Sequence, residues 1–174
     1  MKRVLLSLLM ASALSVAAPA QEAPNPEQLS NAEIVAQAAD LHPSALYILS
    51  ARLLSAGEGQ DAANWMYAGQ LRYRFLITAG GEAARKKEVL FSALSEQVGR
   101  PVNEYIAGDV DEWLAAMQWA LDWDAANDNT ITSKTDHADA LTQVRDGLKR
   151  LMADVESNRD SIPKEREANG LENR

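Results

Sequence analysis

No cysteine occurs in this 174-residue chain. That excludes disulfides, thiolate metal sites, thiol nucleophiles and a lipidated cysteine, so any fold must rest on its apolar core. Histidine is almost as scarce. His42 and His137 stand apart, and neither has the i, i+4 partner of a zinc-binding helix. His42 is better read as an N-cap before Pro43. The chain also lacks a Gly-x-Ser-x-Gly elbow, a phosphate loop and a dinucleotide fingerprint. Its longest apolar stretch falls short of the ~20 residues that span a bilayer. Positive charge is in deficit too, with 17 Lys and Arg against 25 Asp and Glu and a net charge of −8. Such a surface argues against nucleic acid and anionic lipid as partners. It favours a basic protein where the partner is charged.

What is present begins with an address. Lys2 and Arg3 precede an apolar stretch over residues 4–18, which exits at Ala18-Pro19-Ala20. A positive start, a short apolar run and a small-x-small exit are the three parts of a secretory signal peptide. The expected organisation is a signal peptide over 1–20, cleaved after Ala20, and a flexible lead-in over 21–29. A helical domain then spans 30–162, followed by a frayed charged tail over 163–174. The expected location is periplasmic or secreted, with no stable membrane anchor after cleavage. Roughly 150 residues would remain, enough to bury about 70 % of the unfolded surface in one domain.

The patterning is helical throughout. The stretch QDAANWMYAGQLRYRFLITA, residues 60–79, is apolar on nearly every side and predicts a central buried helix. The expected fold is all-α, a single domain of six to seven helices around that element, as a bundle or a short αα-superhelix. Trp65, Gly69 and Pro43 are expected to be structural. Gly69 marks a close helix crossing, because mid-helix glycine otherwise costs about 1 kcal/mol relative to alanine. Pro43 suits the first turn of its helix. Ser30 and Glu33 have capping-box spacing. Helices are predicted over 43–56, 82–98, 102–107, 110–126 and about 134–161, with a turn at Gly99-Arg100-Pro101. Arg85, Lys86 and Lys87 form a basic, solvated face on the second of these. Leu141, Val144, Leu148, Leu151 and Val155 make a heptad-like seam in the last, which faces a core or a second helix.

Residues 41–71, LHPSALYILSARLLSAGEGQDAANWMYAGQL, resemble one unit of the Sel1-like or tetratricopeptide-like helical repeats. The resemblance lies in an alanine-rich first helix, a glycine turn, and Ala-Ala-x-Trp-x-x-x-Gly in the second. The unit occurs once. The wider pattern His-Pro … Trp-x-Tyr-x-Gly-Gln-Leu-Arg-x-Arg is also similar to a group of exported bacterial α-helical proteins. That resemblance implies export and an all-α fold and brings no activity with it.

The candidate binding residues are Arg72, Arg74, Trp119, Trp123, Asp122 and Asp124. A buried guanidinium must be paired, so Arg72 is expected to meet an acid among residues 104–112, or to bind an anion in a cleft. Trp119 and Trp123 are either sandwiched or an exposed aromatic pair. The oxygen-rich run from Asp122 to Asn129 lacks the glycine and later glutamate of a calcium loop, so no metal site and no cofactor is expected. The leading functional expectation is an exported, non-enzymatic protein that binds a protein partner in the periplasm as an adaptor or accessory factor. The alternatives are an acidic neutraliser of a basic protein, such as a toxin-immunity protein or lysozyme inhibitor, and a cell-wall enzyme using carboxylates near Trp113 to Asp128.

Overall fold

The computed structural model describes residues 25–174. The expected signal peptide and the first part of the lead-in lie outside those residues. So does the side chain of Arg85. The described chain is all-helical, in the order α1 (Asn31–Ala36), α2 (Ser44–Ser55), α3 (Gly59–Gly80), α4 (Arg85–Leu94), α5 (Arg100–Ile106), α6 (Val110–Ala126), α7 (Ala138–Ser157) and α8 (Ile162–Ala168). None of these helices is long and apolar enough to cross a membrane.

The organising element is α3. It touches α2, α4, α5, α6 and α7, and its residues from Ala62 to Gly69 are all buried. This makes the fold a closed bundle rather than an open superhelix. α2 and α3 run antiparallel. Ser50 Oγ donates to the carbonyl of Ala62 at 2.7 Å, while farther from the turn Gly69 faces Leu46 and Tyr47. A Cβ on Gly69 would sit 3.1 Å from that of Leu46, so the glycine does set the crossing.

Local capping follows the sequence closely. The Ser30 hydroxyl accepts from the Glu33 N–H at 3.2 Å, and the Glu33 carboxylate accepts from the Ser30 N–H at 2.8 Å. The Ser30 hydroxyl also donates to the Glu33 carboxylate at 2.7 Å, and that bond, with the backbone one, holds the Glu33 carboxyl below its usual range. Asp109 caps α6 by accepting from the Glu112 N–H at 3.0 Å. His42 caps through its ring. Nδ1 lies 2.8 Å from Ser44 Oγ and 3.3 Å from the Ser44 N–H, while Pro43 is the residue directly before the helix.

Four expectations are corrected. No turn occurs at Gly99-Arg100-Pro101. Residues Ser95–Gly99 form a π-helical turn instead, in which the Arg100 N–H reaches back to the Ser95 carbonyl. Pro101 has no N–H to give to an α-helical ladder, and the wider turn absorbs that loss. The chain therefore passes from α4 into α5 without leaving helical geometry. The tail expected to fray over 163–174 instead forms α8 and docks. Buried Arg166 donates to the carbonyls of Glu104 (2.9 Å) and Glu172 (2.6 Å). The Arg174 guanidinium lies 3.9 Å over the Tyr105 ring and pairs with Glu112. The helix predicted as continuous to 161 accordingly ends at Ser157. Within the lead-in, Pro26–Gln28 form a 3-10 turn, and Arg52 grips the segment through the carbonyls of Leu29 (2.6 Å) and Glu27 (2.9 Å).

Candidate functional site

Two places concentrate chemistry. The first is buried. Asp124, on the last turn of α6, is 0 % exposed and meets three cations. Arg72 Nε, from α3, lies 3.2 Å from Oδ1. Arg145 Nη1, from α7, lies 3.0 Å from Oδ2. Lys134 Nζ lies 3.5 Å from Oδ1 and also donates to the backbone carbonyls of Asp124 and Asn127. The acid that pairs with Arg72 is therefore Asp124 and not one of residues 104–112. Those acids have other work: Asp109 caps α6, Asp111 pairs with Arg159, and Glu112 pairs with Arg174.

One carboxylate cannot balance three cations, so backbone carbonyls supply the remaining negative potential. Arg72 donates to Ala38 (3.2 Å), Ala39 (3.5 Å), Asn127 (3.2 Å) and Asp128 (2.6 Å). Arg145 donates to Leu121 at 3.1 Å. The carbonyls that Arg72 meets lie just beyond the C-terminal ends of α1 and α6, where the helix dipole favours cations. Trp123 covers the guanidinium of Arg72 at 4.2 Å from its ring centre. Burial lowers the pKa of both Arg72 and Lys134, and the proximity of Asp124 opposes it. With the donors of Arg72 and Lys134 engaged and the Asp124 carboxylate sealed, this cluster ties α3, α6 and α7 to the segment after α1.

Trp119 and Trp123 stack on each other at 6.1 Å, and both meet the edge of Trp65, at 5.0 and 5.2 Å. They are half-buried and sandwiched against α3 rather than exposed as a pair. Asp122 is exposed and accepts from Gln118 at 2.8 Å. Of the six candidate residues, the fold thus gathers Arg72, Asp124, Trp119 and Trp123. It separates Asp122 and Arg74. Among the described residues no group of three or more His, Asp or Glu could hold a metal ion.

The second place is a groove of about 540 Å³ between α3, α4 and α7. Its floor is apolar: Leu71 and Ile77 from α3, Phe91 from α4, and Val144, Leu148 and Leu151 from α7. Arg74 and Glu88 stand on one side and Arg150 on the other. The heptad-like seam of α7 therefore divides. Leu148 and Val155 are buried, whereas Leu151 is 37 % exposed. Leu90 (48 % exposed) and Val89 (74 % exposed) also stand on α4 but do not line the groove. Arg74 was legible from sequence as a candidate. Arg150 and the groove were not, because only the tertiary arrangement sets α4 and α7 on either side of α3.

Comparison with protein-family models, with curated proteins and with solved structures gives no significant match.

Proposed function

We propose that this chain is an exported, non-enzymatic helical protein that works by binding a protein partner along the α3–α4–α7 groove. One observation carries the proposal: an apolar trough between α3, α4 and α7, lined by Leu71, Ile77, Phe91, Val144, Leu148 and the exposed Leu151, with Arg74, Glu88 and Arg150 at its edges. Contiguous exposed apolar surface with a polar rim is characteristic of interaction sites. The acids that a hydrolytic alternative would need near Trp113 to Asp128 support it less well. Asp124 has no access to solvent, whereas Asp122 lies exposed on the outer face of α6 and Asp128 is exposed in the loop after it. Export rests on Lys2, Arg3 and the apolar run that follows them.

The test is site-specific photo-crosslinking in cells that make the protein, with the probe at Leu151 or at Ala153. Ala153 is exposed on the face of α7 away from the seam. A discrete adduct from Leu151 and none from Ala153 is expected. Equal labelling from both, or none from either, would sink the proposal.

A further inference from the structure

The charge on the groove's rim identifies the partner's chemistry, given the preceding proposal that the groove is a partner site. We infer that its occupant is an acidic amphipathic helix of another protein. The first observation concerns arginine. Arg74 and Arg150 make no ion pair or hydrogen bond among the described residues, although Arg74 lies over the Phe91 ring at 5.2 Å. Every other arginine whose side chain is described has such partners within the chain. The two exceptions both line the groove. In a protein of net charge −8, two open guanidiniums beside a single carboxylate, Glu88, make the groove locally basic. Guanidinium forks match carboxylates bidentately.

The second observation is the form of the floor. Val144, Leu148 and Leu151 line it at helical spacing and lose cover toward Leu151. A helix inserts i, i+3/i+4 and i+7 anchors into such a trough. Carboxylates flanking the anchors would meet Arg74 on one wall and Arg150 on the other. Glu88 would accept one cation and so orient the helix.

The probes are two fluorescent helical peptides of about 15 residues with the same leucine stripe, one flanked by glutamates and one by lysines. Binding is read by anisotropy on the full chain at low and high salt, with circular dichroism confirming the fold of each variant. The glutamate peptide is expected to bind saturably. Arg74→Glu with Arg150→Glu should weaken it by about tenfold or more, and high salt should weaken it as well. Leu151→Glu should abolish it. If only the lysine peptide binds, and Leu151→Glu removes it, the groove stands as a partner site and its preference for acids is overturned. Failure of both peptides to bind in a Leu151-dependent way overturns both readings. Displacement of the glutamate peptide by laurate at lower concentration would make the occupant an anionic amphiphile and overturn the helix. A dimer in light scattering that Leu151→Glu dissolves would assign the groove to a second copy, with the same consequence.

Discussion

Asp124 is the residue on which most depends. Its loss would leave the cations from α3, the 127–137 loop and α7 facing one another in a buried space. Asp124→Asn should therefore destabilise the protein by about 3–5 kcal/mol in urea unfolding, the usual cost of breaking a buried ion pair from one side. Asp122→Asn, two residues away and exposed, should stay within about 0.5 kcal/mol. Comparable effects at both positions would contradict the buried-cluster assignment. Sequence position alone could not separate these two acids. The 3.6-residue turn carries Asp122 outward and Asp124 inward, and the partner of Asp124 on α3 is 52 residues away.

At the scale of elements, the crossing of α2 over α3 and the docking of α8 can be tested separately. Gly69→Ala gains helix propensity of about 1 kcal/mol, but its methyl meets Leu46 Cβ at 3.1 Å. Leu46 Cβ is fixed to the α2 backbone, so overpacking of about 1–3 kcal/mol should dominate, and the variant should melt at lower temperature than the parent. A rise in melting temperature would mean that the two helices can part. Arg166→Ala should cost about 2 kcal/mol, because it removes charged hydrogen bonds to the carbonyls of Glu104 and Glu172. Accelerated proteolysis confined to α8 would locate that loss. The sequence pattern of this tail reads as frayed because it offers few apolar anchors. Its docking is mostly polar and reaches α5 about 60 residues earlier, which no local pattern records.

The whole molecule should respond to acid partly through His42. Burial holds its pKa below the ordinary 6.5, and nearby Lys87 acts in the same direction. Over the window between the folded value and 6.5, the unfolded chain binds more protons than the native one. Stability from this group is thus fully present above pH 6.5 and is lost as pH falls through the folded value. Protonation would also turn Nδ1 from an acceptor of the Ser44 N–H into a donor. Between about pH 7 and pH 5, urea midpoints of the parent should fall more steeply than those of His42→Gln. Parallel slopes would show that His42 does not couple to folding.

Sequence by itself determined the helical class, the central element and most of the caps. These depend on residues within one or two turns of each other: the all-round apolarity of α3, the Ser30–Glu33 exchange, Asp109 before α6, and the full extent of α6 from Val110 to Ala126. Tertiary structure alone decided which acid neutralises Arg72, that Trp119 and Trp123 close over Trp65, that the chain runs on through Pro101, and that Leu151, Arg74 and Arg150 share one groove. The physical reason is range. Capping and amphipathicity act along the chain, whereas charge pairing and groove formation depend on how the helices meet in space.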